Sequence, residues 1–355
     1  MFKTLLAVGA ATTAMFVLMT SPVEVDLDQE FATFVSEYRK SYFSTQEYNL
    51  RKEAFAKSLE EAAYMNAHET GSAKYGINSL ADLTDEEFLQ RLGKAPGKRP
   101  NRREGPSPVD VSETEMPKDF SWAAYAGDIK DQGACGSCWT FSATGAIEIN
   151  YNYNHDDDTF LELSEQQLVD CCRADTGDAR AARVCPESMG CAGGWMHEAI
   201  DWNREFGGQA LASEYPYRGN DGSCDMSAKK HGHVAMLWDL RYHNVKDLED
   251  AAKQGAVAVG VNAAPWKTYR EGVMSAASCP GNEGSERPPE EEDLINHGVV
   301  LVGWGTEGSE DFWVIRNSWG MRWGEKGCMR LQRDHFDWKS NACGITEVNT
   351  EPYVA

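Results

Sequence analysis

The chain has 355 residues, enough for more than one structural unit. Hydrophobic residues make up 41% of it, which supports a sizeable core and excludes wholesale disorder. A net charge of -22 argues against nucleic acid and anionic membrane as partners, and says nothing about a substrate beyond keeping the chain soluble.

The N-terminus opens with Lys3 as a short positive region, then a largely apolar stretch from Leu5 to Met19, broken by Thr12 and Thr13 and ended by Asp26 and Asp28. Residues 1–20 read as a signal peptide with a cut near Met19–Pro22. The alternative, a signal anchor, asks for a longer apolar run. All ten cysteines fall between Cys135 and Cys343, so a cysteine-free leader precedes a disulfide-bearing body made in an oxidising compartment.

Residues 27–66 read as helical, with Phe31, Phe34, Val35 and Tyr38 at i, i+3, i+4, i+7. Ser44 opens a second run as an N-cap, with Glu47 as its capping-box partner. Glu47, Arg51 and Phe55 share a face that Asn66 continues. This set resembles the interrupted Glu/Arg/Phe/Asn/Ile/Asn pattern of inhibitory prosegments in cathepsin L-like peptidases, with Ser58 and Ala62 at its Asn and Ile positions. Tyr75-Gly-Ile-Asn-Ser-Leu-Ala-Asp82 resembles the Gly-x-Asn-x-Phe-x-Asp segment of the same prosegments, with Leu80 in place of Phe. Thr84 begins a short helix with acidic residues in its first turn. Acid is expected to loosen this segment by protonating Asp82, Asp85 and Glu86. Lys94 to Pro108 is rich in Lys, Arg, Gly and Pro and reads as an exposed linker, with a maturation cut between about Arg103 and Glu115.

Asp131-Gln-Gly-Ala-Cys-Gly-Ser-Cys-Trp-Thr-Phe-Ser142 runs a glycine-rich turn into a helix. Trp139, Phe141, Ala143, Ala146 and Ile147 keep apolar helical spacing, so Cys138 sits near a helix N-terminus, where unpaired N–H groups and the dipole favour thiolate. A Cys-x-x-Cys is also a redox motif or half a zinc site, but no second Cys/His pair at metal spacing is evident. Cys135–Trp139 fills the Cys-Gly-[Ser/Ala]-Cys-[Trp/Tyr] nucleophile signature and resembles the papain family. Met116-Pro-Lys-Asp-Phe-Ser-Trp122 resembles a mature papain-like N-terminus, with Ser121 replacing the usual Asp. Leu161 to Asp170 reads as a helix opening with a Ser164-Glu-Gln-Gln box, and Gly190-Cys-Ala-Gly-Gly194 resembles the family's Gly-Cys-x-Gly-Gly loop. Gly193 and Gly194 suit close backbone approach by an extended peptide.

Beyond about residue 231 the pattern becomes β: Val257, Val259 and Val261 alternate, Gly298–Gly305 is a short apolar run, and Phe312–Asn317 is another. Arg316-Asn-Ser-Trp-Gly320 followed by Trp323-Gly-Glu-Lys-Gly327 closely resembles the family's Lys/Arg-Asn-Ser-Trp-Gly-x-x-Trp-Gly motif. His297 stands in a stretch similar to its Asp/Asn-His-[Ala/Gly]-Val. Its distance from Cys138 exceeds the about 130–150 residues usual in the family, and the acidic loop 280–293 fits the excess.

The resemblance implies an α+β, papain-like two-lobed fold behind a helical prosegment. It implies residues 21–115 as inhibitory propeptide and 116–355 as peptidase, with a helical lobe at about 125–230 and a β lobe at about 231–345. It implies Cys138 as nucleophile, His297 as base then acid, Asn317 as its orienter, Gln132 with the Cys138 N–H as oxyanion hole, and Trp319, backed by Trp323, as shield. A thiolate–imidazolium pair is the expected resting state. The pocket for the side chain two residues before the scissile bond has Trp195 and Met196 as wall, Gly260, Ile295 and Gly298 as lining and Val348 as an apolar floor, with Gly260 widening it. Cys135–Cys191, Cys171–Cys224 and Cys279–Cys343 are the implied disulfides, with Cys172–Cys185 as a fourth and Cys328 left free; sequence alone does not fix the connectivity.

The reading is a cysteine endopeptidase zymogen without metal or cofactor. It travels the secretory pathway to lysosome, vacuole or exterior, acts on proteins or peptides, and is held by its own propeptide and by cystatin-like inhibitors. The rivals are a non-catalytic peptide-binding homologue and a disulfide-stapled binding protein. Exopeptidase action would call for a His-rich occluding segment, and none is seen.

Overall fold

The computed structural model describes residues 26–93, 117–155, 160–239, 245–280, 295–333 and 341–354. The expected signal peptide, the linker with its maturation cut, and the acidic loop beyond Pro280 lie outside the described residues. These fall into two compact units, one ending at Ser41 and one starting at Tyr42.

In the first unit, α1 (Leu27–Glu37) is capped by Asp26, whose carboxylate accepts from the N–H groups of Asp28 and Gln29. Phe31 and Phe34 are its buried residues. The chain leaves the helix at Tyr38 and restarts at Thr45, with Ser44 opening the second run as expected.

The second unit opens with α2 (Thr45–His68). Ser44 caps it by accepting from the Glu47 N–H, but Glu47 reaches back to the N–H of Phe43 rather than Ser44, so the expected reciprocal box is displaced by one residue. β1 (Lys74–Tyr75) follows, then α3 (Asp85–Leu92), where Thr84 and Glu87 form a true capping box. The spaced face of α2 now has physical content. Arg51 forms an ion pair with Glu87 and donates to the Asp82 carbonyl. Asn66 closes two hydrogen bonds with the Tyr75 backbone, and the Ser58 hydroxyl donates to the Ala81 carbonyl. These contacts fold the segment after α2 back against it.

Beyond the linker, β2 (Phe120–Ser121) pairs with a later strand, and α4 (Cys138–Asn154) runs through the molecule. Most of its side chains are buried, so it is apolar on several faces, as a helix covered all round must be. Next come α5 (Glu165–Cys171), α6 (Ala179–Val184) and α7 (Met196–Phe206). α5 starts at Glu165, not Leu161: Leu163 bridges to Leu211 instead, and Ser164 accepts from the Gln167 N–H. The second half holds β3 (Val234–Asp239), α8 (Val245–Gln254), β4 (Val257–Val261), β5 (Tyr269–Glu271), β6 (Val273–Met274), β7 (His297–Glu307), β8 (Glu310–Arg316), β9 (Cys328–Gln332) and β10 (Val348–Val354).

Among the described residues, the order β3-β10-β4-β7-β8-β9-β6 forms one sheet, with β2 added beside β7, while β1 pairs with β5. α4, α5 and α7 share a core built on Trp139, Ile147, Leu168, Trp195 and Trp202, which takes in Val300, Val302 and Val348 from the sheet. The other core holds Trp266, Tyr269, Trp313, Trp319 and Trp323 and includes Met65, Tyr75, Leu80, Phe88 and Leu92. The stretch before the linker is therefore packed into the β lobe, not merely tethered to it. Asn78 strengthens this by donating to the carbonyls of Lys267 and Tyr269.

Candidate active site

Cys138 is the first residue of α4 and lies where the orphan N–H groups of the first turn converge. The Cys135–Cys191 disulfide ties the turn before it to the loop at 190–192. Gln132 is fully buried, and its backbone N–H donates to the Ser318 carbonyl at 3.0 Å. The Ser318 hydroxyl holds the Gln132 Oε1 at 2.7 Å, which fixes the amide so that Nε2 points the other way. Ser318 was overlooked in the sequence reading, although it stands between Asn317 and Trp319 in the quoted motif.

His297 begins β7 and Asn317 follows the end of the adjacent β8, so sheet pairing brings them together. His297 Nε2 lies 2.8 Å from Asn317 Oδ1, which also accepts from the Ser318 N–H at 2.8 Å. With Oδ1 as acceptor, Nε2 carries the hydrogen of the neutral ring and Nδ1 is left as the basic nitrogen. The Trp319 ring lies 4.7 Å from the imidazole and Trp323 packs edge-on against Trp319 at 4.9 Å, burying the histidine–asparagine bond. Cys138 and His297 line one recess across the two cores.

That recess is occupied by the end of α3. The Cys138 thiol donates to the Leu92 carbonyl at 3.0 Å, and Gln132 Nε2 donates to the Arg91 carbonyl at 2.7 Å and the Cys135 carbonyl at 2.9 Å. Phe88 sets its ring edge-on against Trp319, at 5.5 Å. Covering the site changes its charge state. Burial pushes the Cys138 thiol up to about 11, against backbone N–H groups of Gly298, Trp139 and Cys138 that favour thiolate. Burial pushes His297 down to about 4, with Arg91's charge adding to the effect and the bond to Asn317 opposing it. The expected thiolate–imidazolium resting pair therefore does not hold in this covered form: both groups are neutral, because neither has water to stabilise its charge.

Next to Cys138 the recess is lined by Gly193, Gly194, Trp195, Met196, Ile295 and Gly298, and Leu92 and Gly93 of the propeptide border it. Two of the expected lining residues play a different part. A Cβ on Gly260 would lie 2.9 Å from Ile295 and 3.0 Å from Val348, so these side chains already fill the space its missing side chain leaves. Gly260 and Val348, which are paired between β4 and β10, thus lie directly against the recess-lining side chains, Ile295 and, at 3.5 Å from such a Cβ, Met196. Gly194 is constrained from behind as well, since a Cβ there would come within 2.5 Å of the Trp139 ring.

The remaining cysteines pair as Cys171–Cys224, Cys172–Cys185 and Cys279–Cys343, and Cys328 is free and partly buried.

A thiol at a helix N-terminus, an amide-bound imidazole on a neighbouring strand and a helical segment lying over both define a cysteine peptidase in its proenzyme form. Comparison with known proteins gives the same class. The family described as papain family cysteine protease matches residues 116–353, and the cathepsin propeptide inhibitor domain matches residues 31–88. The chain belongs to the papain family of cysteine proteases. It is 34% identical over 334 residues to the probable cysteine protease RD19D of Arabidopsis thaliana, covering 90% of this chain and 84% of that one. It is 32% identical over 335 residues to the viral cathepsin of Adoxophyes honmai nucleopolyhedrovirus, covering 90% and 89%. Among solved structures it resembles digestive procathepsin L 3 of the Tenebrio molitor larval midgut, with TM-score 0.74, 28% identity and coverage of 93% and 99%. It also resembles the recombinant stem bromelain precursor, with TM-score 0.75, 25% identity and coverage of 92% and 98%. The protein is a cysteine endopeptidase made as a zymogen with its own inhibitory propeptide.

Proposed function

We propose that Cys138 is the nucleophile, His297 the proton carrier, Asn317 its orienter, Gln132 with the Cys138 N–H the oxyanion hole, and Trp319 with Trp323 the shield of the histidine–asparagine bond. The observation that carries this reading is that the Cys138 thiol and the Gln132 amide both point at propeptide carbonyls, of Leu92 at 3.0 Å and Arg91 at 2.7 Å. With the propeptide gone, the thiol proton passes to His297 Nδ1 and the thiolate attacks the substrate carbonyl carbon. The oxygen takes up the negative charge against Gln132 Nε2 and the Cys138 N–H. Collapse breaks the C–N bond as the imidazolium returns its proton to the departing amine. Water, deprotonated by His297, then cleaves the thioester and restores the thiol.

The recess with Met196 and Ile295 takes the apolar side chain two residues before the scissile bond, and Leu92 and Gly93 border it in the zymogen. Phe88 on Trp319 lies on the leaving-group side of this reading. From Phe88 on Trp319 to Gly93 at the border of the recess, the propeptide then crosses the site in the opposite sense to a substrate, which supports its role as an inhibitor that is not cut. Residues 1–20 are the signal, 21–115 the propeptide and 116–355 the peptidase. The destination is a lysosome, vacuole or the exterior, where cystatin-like inhibitors would meet the open cleft. No described helix is long and apolar enough to cross a membrane.

The test is peptide hydrolysis by acid-activated protein. Cys138→Ser should abolish turnover with the fold retained, as judged by circular dichroism and thermal melting. Substantial turnover by purified Cys138→Ser would refute the assignment.

A further inference from the structure

The propeptide leaves one polar contact at the cleft that inhibition by backbone alone does not need. Arg91 projects its guanidinium onto the Asp131 carboxylate, an ion pair in which only 8% of the Arg91 side chain remains exposed while 55% of the Asp131 side chain does. The pair lies beside the catalytic amide, since Asp131 precedes Gln132 and bridges in antiparallel fashion to Trp319. The carboxylate is held in place independently of Arg91, because its Oδ1 accepts from the Gly133 N–H at 3.0 Å. Tyr217 stands close to Arg91, and its hydroxyl is fixed at 2.8 Å from the Gln132 carbonyl and 2.7 Å from the Ser137 hydroxyl. Arg91 Nε is buried without a hydrogen-bond partner, so Asp131 is the group on the peptidase that answers its charge. The peptidase thus carries a preset anion with a tyrosine nearby, both held by its own groups rather than by the propeptide.

We infer that Asp131 is a specificity-determining residue that selects a basic side chain, Arg or Lys, on the leaving-group side of the scissile bond. This rests on the proposed assignment of the Met196–Ile295 recess to the acyl side. Phe88 meets Trp319 and packs with Leu92 in one core, while Met196 and Ile295 belong to the other, so the Trp319 and Asp131 end of the cleft receives the part of the substrate beyond the cut. A substrate running the other way presents a different backbone, but the carboxylate reads charge at a place and not chain direction. The contact is half-exposed, so its effect is a modest preference that salt weakens.

The test uses the acid-activated protein and internally quenched peptides with Leu fixed for the acyl-side recess. Arg, Lys, Ala and Glu are placed in turn at the first, second and third positions after the cut. At one position, kcat/KM for Arg should exceed that for Ala by about three- to tenfold, and that for Glu by more. The Arg-to-Ala ratio should fall to within about twofold in Asp131→Asn, survive in Asp131→Glu, and shrink as ionic strength rises. A wild-type panel without a basic preference overturns the inference, as does a preference that persists in Asp131→Asn. The wild-type panel decides by itself if that variant fails to fold. A parallel set with Leu or Arg at the acyl-side position separates the two readings. If Leu is not preferred there while the basic preference still follows Asp131, the recess assignment falls and the charge selection stands.

Discussion

The Leu92 carbonyl oxygen accepts from the Cys138 thiol at 3.0 Å, while the Gln132 amide that would hold an oxyanion is bonded to the carbonyl of the preceding residue, Arg91. Two successive carbonyls thus divide between them the contacts that one scissile carbonyl would need together. Neither has its carbon presented to sulfur and its oxygen in the amide's grip, so the segment blocks the site without being a good substrate for it.

This arrangement predicts a silent thiol in the intact chain. With Cys138 held up near 11 and His297 down near 4, little thiolate exists at neutral pH. Alkylation of Cys138 by iodoacetamide at pH 7 should be at least about a hundredfold slower in the proenzyme than after propeptide removal. Peptide mapping of the labelled site distinguishes it from Cys328, the other free cysteine, whose thiol burial also pushes up. Equal rates at Cys138 in the two forms would contradict the neutral pair.

Acid should open the zymogen, and the structure adds Glu87 and Glu69 to the carboxylates the sequence pointed to. For Glu87, burial opposes ionisation, yet the Arg51 ion pair and the Thr84 N–H hold its carboxyl below the usual range. Burial is likewise outweighed at Glu69, which accepts from the Tyr75 hydroxyl, the Gly71 N–H, the Ser275 N–H and the Ser278 hydroxyl. Since Ser275 and Ser278 belong to the peptidase, Glu69 is a direct strap between propeptide and enzyme. Both groups have depressed pKa values in the closed state, so their stabilisation is present above the ordinary carboxylate range and is lost as pH falls through the lowered values. Glu69→Gln should therefore weaken closure already at neutral pH, by about 1–3 kcal/mol, and move the midpoint of activation to higher pH. An unchanged pH profile of activation in both Glu69→Gln and Glu87→Gln would remove these groups from the trigger.

Asn317→Ala should cost less than loss of the thiol or the imidazole, because an orienter is removed and the reacting groups remain. A fall in kcat of about ten- to a hundredfold with KM little changed is expected, together with a shifted basic limb of the pH profile. A drop as complete as that of Cys138→Ser would mean that Asn317 does more than orient.

The acyl-side recess predicts substrates with Leu or Phe over Arg. Burying such a side chain against Met196 and Ile295 contributes about 1.5–3 kcal/mol, whereas a guanidinium there finds no described acid among the lining residues. Gly260→Ala should push Ile295 into the recess and lower kcat/KM for Phe more than for Val at that position. Paired substrates differing only there give the measurement, and Arg accepted as well as Leu would reverse the assignment.

The local order of the chain was legible because local physics sets it. The turn glycines and apolar spacing after Ser137 start α4 at Cys138, and Thr84 with Glu87 closes a capping box from sequence-adjacent groups. The apolar alternation over Val257–Val261 and the run after His297 are those of paired strands with buried faces. Where only sequence spacing was available, details slipped: the Ser44 box and the start of α5 were each corrected by a competing backbone partner.

What the tertiary structure decided concerns groups whose properties come from distant neighbours. That Arg91, of all the arginines before the linker, meets Asp131 depends on how α3 docks, not on any local pattern. That Gly260 is filled by Ile295 and Val348, and Gly194 backed by Trp139, depends on strands and loops far apart in the chain. The charge state of Cys138 and His297 is the clearest instance. Covered by the propeptide, these residues favour a neutral pair, because the cost of a buried charge is set by what displaces the water around it.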